Sequence, residues 1–534
     1  MRTRRAVRVA AVTVVVLAIA IGLGVALLEA APSRPAEGRA HARGGSDARP
    51  VEARRVPRPK TIVMLVFDEF PLSSLMDADG RIDAERYPAF AELARTANWY
   101  RGATAVHDST AHAVPAMLDG RYPRSGTKSN VYSHPGNLFT LLADRYELHI
   151  SEEATGLCPT SMCKAPATTT ASNLSHGKVR RFRRFVRGVR TTEGPALWFK
   201  HTLLPHVPWM YYPSSTRYRI NSPEPIPDLN GTSGFSVPWV MKVAYQRHLI
   251  QVGLADRLLG ELVARLERTG LFDDALVVVA ADHGISFHTG RLRRALSQRN
   301  VADIAPVPLL VKLPGQRRGR VFDRHVETID VLPTILDAAR VHVALPMDGR
   351  SMLRPAPRRA RQVRIFHRVG HELNTVGGYY AFDADDVARR LRAAVRRKIA
   401  MFGSGGGRSP DRLFAIGPHT ELLGQRPSAL PRLPGPHTAR LHQVRRLRDV
   451  RPASGVVPGE LTGWVPHGRR GGGRAIAVAV NGTIVAMGRT FSMRGRRAEN
   501  FEVMVPERTF LPGENVVRVW EVGTSAGRLA LRPL

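Results

Sequence analysis

Residues 61–70 read TIVMLVFDEF. The segment carries no charge from Thr61 to Phe67 and then reaches two acids, Asp68 and Glu69. A strand that is covered on both faces gives such an unbroken apolar run, whereas a strand with one solvated face alternates apolar and polar residues. The segment therefore predicts a central strand of a parallel sheet, with two carboxylates at its carboxyl end.

The same pattern returns three times along the chain, and stretches with helical periodicity separate the copies. The apolar runs are PALWFKHT (195–202), ALVVVAADHG (275–284) and VPLLVKL (307–313). The clearest helix is expected from about Val240 to Thr269, because four leucines at a spacing of four residues share one face there.

Strands that alternate with helices predict an α/β fold, with a doubly wound, mostly parallel sheet and helices on both faces. In this fold class, polar groups at the carboxyl ends of the strands form the functional site. Asp68 and Asp282 both lie at such strand ends. We therefore expect the site at this edge of the sheet.

Composition divides the chain into four segments. The α/β domain is expected at residues 60–435, and the chain from 440 to 534 reads as a small β-sandwich because short alternating strands flank an Asn481-Gly482 hairpin turn. The glycine-rich FGSGGGR (402–408) follows no apolar strand, which favours a plain loop over a phosphate cradle.

The first residues predict export. Four arginines in MRTRRAVR precede a run from Val9 to Leu28 without a charge, long enough for a transmembrane helix of about 30 Å. Residues 1–30 are expected to be an uncleaved membrane anchor, with a cleaved signal peptide as the alternative, and residues 31–59 to be a flexible linker. Both alternatives place the rest of the chain outside the cytoplasm, cell-membrane bound or secreted.

Charge and cysteine content are consistent with an exported protein. The formal charge is +34, but only eight of the 79 basic residues are lysine, a bias that GC-rich coding alone can produce. Without a nucleic-acid-reading motif, we expect anionic lipid headgroups or phosphorylated glycans as partners and no nucleic acid. Cys158 and Cys163 are expected to form a small-loop disulfide, with two unrelated thiols as the alternative.

Three segments at strand ends carry the chemistry: VFDEF, DSTAHAVPAMLDGRYP and AADHGISF. Together they supply two carboxylates, an imidazole and a hydroxyl, a set that can bind a divalent cation: Asp68, Asp282, His283 and Thr110. Coordination would favour the threonine alkoxide, and the first turn of a helix would favour both the alkoxide and a bound phosphate. Thr110 is thus the candidate nucleophile, with Ser109 as the alternative. Thr110 could instead serve only as a helix cap, but capping and nucleophilic attack are compatible roles.

These segments resemble the sulfatase branch of the alkaline-phosphatase superfamily, which includes the phosphoethanolamine and phosphoglycerol transferases. Sulfatases carry their nucleophile ten residues before the glycine of a Gly-Arg-Tyr-Pro turn, and here Thr110 stands ten residues before Gly120. In the transferases a proline and a methionine follow the nucleophilic threonine at fixed spacing, which Pro115 and Met117 match. The likeness covers about residues 60 to 355.

The resemblance implies roles for individual residues. Asp68, with Glu69 as the stand-in, Thr110, Asp282 and His283 would bind one divalent metal ion, for which the donor set favours Mn²⁺ or Zn²⁺ over Ca²⁺ or Mg²⁺. In HTLLPHVPW, His206 would contact the transferred group and act with Thr110 as a catalytic residue. His288 does not fit the transferase spacing, and His325 and Asp256 are spare candidates for a second metal.

One departure from the sulfatase pattern affects the chemistry. Formylglycine formation needs Cys or Ser followed by x-Pro-x-Arg, whereas this chain has Thr110-Ala-His-Ala-Val. The expected function is therefore a membrane-anchored, extracytoplasmic, metal-dependent hydrolase or phosphotransferase. It would act on phosphate esters, and in second place on sulfate esters, of envelope lipid or glycan. The alternatives are a two-metal phosphodiesterase or phosphatase of the same superfamily and a catalytically degenerate cell-envelope binding protein.

Overall fold

The apolar segment at residues 61–68 forms the middle strand of a large sheet. The computed structural model describes residues 56–163, 174, 176–219, 234–355, 362–369, 376–403, 410–465, 473–493 and 498–534, and all eight residues of this strand are buried. The sheet has seven strands among the described residues. They are β1 (Thr61–Asp68), β2 (Asn98–Thr104), β3 (Glu147–Ser151), β4 (Ala196–Pro205), β5 (Leu276–Ala281), β6 (Leu309–Lys312) and β7 (Arg320–Glu327).

The strand order is β3-β4-β1-β5-β6-β2-β7. β6 is antiparallel to both of its neighbours, β5 and β2, whereas every other pairing in the sheet is parallel. The sheet is thus mixed but mostly parallel, as predicted. The parallel neighbours β4 and β5 bring their carboxyl ends to the end of β1, where Asp68 lies.

Helices cover both faces of this sheet, which confirms the doubly wound prediction. The described helices are α1 (Leu72–Leu75), α2 (Pro88–Ala94), α3 (Thr110–Asp119), α4 (Leu138–Leu142), α5 (Lys178–Gly188), α6 (Pro238–Arg268), α7 (Val301–Ile304), α8 (Val331–Ala339), α9 (Ala384–Phe402) and α10 (Val444–Leu447). Alternate residues of β1 belong to two different hydrophobic clusters, one with α2, α5 and α6 and the other with α3, α4 and α8.

A two-stranded antiparallel hairpin follows the central sheet in the chain. It consists of β8 (Gln362–Arg368) and β9 (Val376–Asp383), and its buried residues pack with those of α7 and with Leu296. The hairpin therefore supports the segment between β5 and α7.

The C-terminal part is an antiparallel sheet of seven strands in the region that the structure describes, in the order β10-β11-β14-β13-β12-β15-β16. β13 pairs with β12 along its first part and with β14 along its last residues, so the sheet has two halves that fit the predicted sandwich. Asn481 and Gly482 both have positive φ in the turn between β12 and β13, as an Asn-Gly hairpin requires. The strands are β10 (Arg440–Leu441), β11 (Glu460–Val465), β12 (Ala475–Val480), β13 (Thr483–Ser492), β14 (Glu499–Met504), β15 (Val517–Ser525) and β16 (Arg528–Pro533).

Of the remaining expectations, one is confirmed and the others concern residues that lie outside the described ranges. Cys158 and Cys163 form a disulfide, as predicted. The expected anchor at residues 1–30, nearly all of the linker at 31–59 and residues 404–408 of the glycine-rich segment lie outside the described residues. None of the helices that the structure describes is both long and apolar enough to cross a bilayer.

Candidate active site

The five residues predicted to act together lie at the carboxyl edge of the central sheet. Asp68 ends β1, Asp282 and His283 directly follow β5, and His206 follows β4. Thr110 is the first residue of α3. The structure thus brings Asp68, Thr110, His206, Asp282 and His283 to one site, as the parallel strands require.

The Thr110 hydroxyl lies among the acidic and imidazole groups. Its Oγ1 donates to Asp68 Oδ1 at 3.3 Å and lies 3.2 Å from His283 Nε2. Ser109 is the N-cap of α3, and among the described residues its hydroxyl makes no hydrogen bond to these groups. The geometry therefore favours Thr110 over Ser109 as the reactive hydroxyl.

The tautomer of His283 suits a ligand role. Its Nδ1 lies 2.8 Å from the carbonyl oxygen of Gly284, which fixes the ring proton on Nδ1 and leaves a lone pair on Nε2. That Nε2 lies 3.9 Å from Asp68 Oδ1 and 3.6 Å from Asp282 Oδ2. Ligand atoms around a small tetrahedral ion with bonds of about 2.0–2.3 Å lie roughly 3.3–3.7 Å apart, so the distance to Asp282 fits a shared cation and the distance to Asp68 is slightly longer than ideal.

His201 adds a donor to the same place. It lies on β4 beside Val66 of β1, and its side chain is fully buried. One ligand atom each from Asp68, His201 and Asp282 lies within 4.8 Å of the others. Both ring nitrogens of His201 and Oδ2 of Asp282 have no hydrogen-bond partner among the described residues. Buried polar atoms without partners are costly, so this donor set fits a divalent cation.

The electrostatics of the two aspartates also favour a bound cation. Burial and the neighbouring Asp282 raise the pKa of Asp68 well above its ordinary value. Burial also raises the pKa of Asp282 to about 7, although Arg294 opposes this rise. Two carboxylates held together inside a protein repel each other, and a cation between them would relieve that repulsion.

Arg294 lies over these groups. Its Nη2 is 2.8 Å from His283 Nε2 and 3.4 Å from Thr110 Oγ1, its Nη1 is 3.2 Å from His206 Nε2, and its Nε is 3.1 Å from Glu69 Oε1. Burial alone would raise the pKa of Glu69, but His206 and Arg294 outweigh it and lower that pKa to about 2. Glu69 is thus the counter-ion of Arg294 as well as a spare carboxylate beside the aspartates.

Two buried side chains hold the segment that carries His206. Lys178, the first residue of α5, donates from Nζ to the carbonyl oxygens of His206 and Val207 at 2.7 and 3.3 Å. Gln251 on α6 donates to the carbonyl oxygens of Pro205 and His206 at 3.1 and 3.0 Å. Burial lowers the pKa of His206 to about 4, so its ring is neutral near pH 7.

The family model described as Sulfatase matches residues 60–341, more than half of the chain. The chain belongs to the sulfatase family. This confirms the resemblance read from the strand-end segments, and residues 60–341 contain every residue of the site described above.

Curated relatives match this sulfatase-family chain over a short region. The "Multifunctional alkaline phosphatase superfamily protein PehA" of Trinickia caryophylli is 35% identical over 100 residues, 18% of this chain and 19% of the relative. Human N-acetylglucosamine-6-sulfatase is 36% identical over 100 residues, 18% of each chain. The chain therefore spans about a fifth of the length of the curated relatives it matches.

Among solved structures, the phosphonate monoester hydrolase SpPMH of Silicibacter pomeroyi is similar at 16% sequence identity and a TM-score of 0.43. The match covers 64% of this chain and 95% of that one.

Sequence reasoning missed three residues of this sulfatase-family site: His201, Arg294 and Lys178. His201 stands in the same HTLLPH segment as His206 but near the middle of the buried strand β4, so its sequence position does not distinguish it from an ordinary buried polar residue. Arg294 lies in a loop rich in arginine, so composition hides it. Lys178 is one of six basic residues of α5, and only its burial distinguishes it.

The remaining candidates have other partners. His288 pairs with Asp303 at 3.0 Å, His325 lies 3.0 Å from Thr104 Oγ1, and Asp256 accepts from the backbone N–H of Phe90 at 2.9 Å. Within the described ranges, only one group of three or more potential ligands lies close enough to hold an ion. The geometry of the described residues therefore favours a single-metal site.

Proposed function

We propose that this chain is a metal-dependent ester hydrolase or phosphotransferase in which Thr110 is the nucleophile. The observation that carries the proposal is the position of the Thr110 hydroxyl. It lies at the first turn of α3, 3.3 Å from Asp68 and 3.4 Å from an amino group of Arg294. A hydroxyl beside a cation site and a guanidinium suits attack on an anionic ester.

The residues have separate tasks in this proposal. Asp68, Asp282 and His283, joined by His201 and by Thr110 itself, would hold the divalent ion, with Mn²⁺ or Zn²⁺ favoured. When bound, the ion would favour the Thr110 alkoxide and polarise the phosphoryl oxygens. Arg294 would donate to those same oxygens as charge develops on them.

The reaction then has two halves. The Thr110 Oγ1–P bond forms while the bond from phosphorus to the leaving oxygen breaks, and the threonine proton ends on the departing alcohol. Water or an acceptor hydroxyl next attacks the phosphorus of the phosphothreonine while the bond from phosphorus to Thr110 Oγ1 breaks, and the proton of the attacking group passes through His206 back to the Thr110 oxygen. His206 suits this second half, because its neutral ring holds a proton acceptor at Nε2 beside Arg294 and can receive the incoming proton.

Phosphate esters are the preferred substrates in this proposal, with sulfate esters second. The family's sulfate-cleaving members need a Cys or Ser that becomes formylglycine, and Thr110 cannot undergo this conversion. A threonine alkoxide can still attack phosphorus directly. The name of PehA, a multifunctional protein of the alkaline-phosphatase superfamily, supports ester chemistry beyond sulfate in this family.

We place the enzyme outside the cytoplasm, anchored by residues 9–28, with an envelope lipid or glycan ester as substrate. The arginines before this uncharged segment favour a cytoplasmic N-terminus. The Cys158–Cys163 disulfide also supports export, because disulfides persist in oxidising compartments.

The deciding experiment compares Thr110→Ala with Ser109→Ala in the full chain. We expect metal near one ion per chain in both variants. Turnover of a p-nitrophenyl phosphate ester should fall at least about a thousandfold in Thr110→Ala and remain within severalfold of wild type in Ser109→Ala. Intact mass should reveal a phosphate adduct of about 80 Da in the wild type that Thr110→Ala cannot form.

Each opposite outcome has a defined meaning. Turnover that survives in Thr110→Ala would overturn the assignment of the nucleophile. Metal near two ions per chain would favour the two-metal phosphodiesterase or phosphatase, and a chain that binds no metal and turns over no phosphate or sulfate ester would favour a binding protein.

A further inference from the structure

The β8–β9 hairpin reaches the candidate active site. Phe366 of β8 pairs in a parallel bridge with His107, and its backbone N–H donates to the carbonyl oxygen of Val106 at 2.9 Å. His107 stands three residues before Thr110. Because the two segments run in the same direction, β8 carries Arg368 alongside the turn that leads into α3.

Arg368 has an unusual set of charged neighbours. Its guanidinium interacts electrostatically with Arg294, Asp108 and Glu69, and burial together with Arg294 lowers its pKa. Its Nε is buried and has no hydrogen-bond partner among the described residues, and no ion pair is found for it there. Other partly buried arginines of this chain, Arg181, Arg183 and Arg397, each pair with a carboxylate at 2.7–2.9 Å.

No carboxylate of the described residues forms an ion pair with Arg368. Asp108 Oδ2 accepts from the backbone N–H of Leu296 at 3.1 Å, and its Oδ1 has no hydrogen-bond partner there, because the nearby His107 Nδ1 itself accepts from the backbone N–H of Ser109. Glu69 is the counter-ion of Arg294. Arg368 therefore adds a second guanidinium near Arg294 that is not engaged by a carboxylate and can donate to an anion bound beside them.

We propose that Arg368 binds a second anionic group of the substrate, separate from the ester that faces Thr110. The preferred substrates are then phosphate esters that carry a further carboxylate or phosphate. This inference rests on the proposed function in that the ester must bind at Thr110. A planar guanidinium suits carboxylate and phosphate equally, because it donates two parallel hydrogen bonds to either.

Calorimetric binding tests the proposal in the metal-loaded full chain carrying Thr110→Ala, which cannot consume an ester. The probes are phenyl phosphate and its 2-, 3- and 4-carboxy derivatives, which differ only in where one carboxylate lies. We expect at least one carboxyphenyl phosphate to bind about tenfold more tightly than phenyl phosphate. Adding Arg368→Gln should abolish that advantage and change the affinity for phenyl phosphate by no more than about twofold.

Two further variants keep the result specific. Arg364→Gln lies four residues earlier on β8, about 13 Å away along the strand, and should leave both affinities unchanged. Arg368→Lys keeps the charge and should retain part of the advantage. Thermal unfolding of each variant verifies that the hairpin remains folded.

Three outcomes would count against the inference. If phenyl phosphate binds and no carboxy derivative binds more tightly, the second anionic subsite does not exist. If Arg368→Gln weakens phenyl phosphate as much as its derivatives, Arg368 supports the site without selecting substrates. If no probe binds at all, the proposed function is wrong, and the proposed subsite is wrong as a consequence.

Discussion

The Arg294 guanidinium contacts the Thr110 hydroxyl and the imidazoles of two histidines at the site. It reaches His283, His206 and Thr110 itself, while Glu69 balances its charge. Such a residue does little for an uncharged alcohol but stabilises negative charge that develops on a transferred group. Its contribution should therefore appear in the transition state more than in the fold.

Arg294→Ala should lower kcat/KM for a phosphate ester by about a hundredfold to a thousandfold, since it removes a preorganised donor to the reacting group. Metal content should stay near that of the wild type, because Arg294 offers no ligand atom to a cation. Steady-state kinetics and metal analysis measure the two effects. Arg294→Lys keeps the positive charge but loses the planar guanidinium, so its kcat/KM should lie between those of the wild type and Arg294→Ala. An unchanged kcat/KM in Arg294→Ala would contradict this role.

Prediction from sequence succeeded for residues that directly follow apolar strands. Asp68 and Asp282 were found because the carboxyl end of a parallel strand is a general place for site residues, and the structure brings them together with Thr110. His201 lies within a strand, where a histidine looks like any buried polar residue. Its closeness to the aspartates depends on which strands are neighbours, which the sequence does not state.

At the scale of elements, long regular segments were predictable and short ones were not. β1 and α6 have unambiguous patterns, and their bounds agree with the structure within two residues. β2 (NWYRGAT) and β7 (RVFDRHVE) carry charged residues, so they lack the apolar run of a buried strand. Likewise, the antiparallel direction of β6 leaves no mark in its sequence VPLLVKL.

α9 contains an element-level test of pH dependence. Its Lys398 is fully buried and donates from Nζ to the carbonyl oxygen of Met76, next to α1. Burial lowers the pKa of Lys398 to about 7, and Arg86 contributes to the shift, whereas the unfolded chain keeps the ordinary value of about 10.4. The folded state therefore binds this proton more weakly than the unfolded state does.

Lys398→Met should stabilise the protein most below pH 7, where the amine is charged in both states and the full cost of burying it applies; at pH 7 about half of the folded molecules still carry this charge. The gain should be about 1–3 kcal/mol after the lost hydrogen bond is subtracted. It should shrink as the pH rises from about 7 towards 10, because the folded wild type sheds the proton first. The free energy of unfolding of wild type and Lys398→Met, measured at pH 7 and pH 10, tests this prediction, and Lys128→Met at an exposed lysine is the control. A stability gain that does not decrease between pH 7 and pH 10 would refute the prediction.

At the scale of the whole molecule, α6 connects the site to the C-terminal sheet. Gln251 on α6 supports the His206 segment, and one hydrophobic cluster contains residues of α6 together with residues of β11 and β14. The indole N–H of Trp239 donates to the carbonyl oxygen of Glu502 at 3.0 Å. The C-terminal sheet is therefore packed against the helix that supports the His206 segment.

A buried ionic cluster lies at this junction. Arg247 of α6 is fully buried, and its Nη1 lies 3.3 Å from Glu460 of β11 and 3.5 Å from Glu502 of β14. Burial and the neighbouring Glu460 raise the pKa of Glu502 to about 8, so this carboxyl is mostly protonated near pH 7. The closest opposite charges of the cluster are thus Arg247 and Glu460, and a second arginine, Arg219, lies 3.9 Å from the same Glu460 oxygen.

Arg247→Met should destabilise the chain by up to about 3–5 kcal/mol, because it leaves the buried Glu460 carboxylate with only the more distant Arg219, 3.9 Å away, as an ion-pair partner among the described residues. Glu502→Gln should cost less than about 1 kcal/mol at pH 7, since it replaces a group that is already mostly neutral by another neutral group. Denaturant unfolding of both variants measures the difference, with Arg518→Met, an exposed arginine of β15, as the control. Equal losses in Arg247→Met and Glu502→Gln would mean that packing, and not the ion pair with Glu460, joins α6 to the sheet. Turnover of a phosphate ester by Arg247→Met should also be measured at temperatures where the chain is still folded. A loss of turnover there would show that the junction also positions His206.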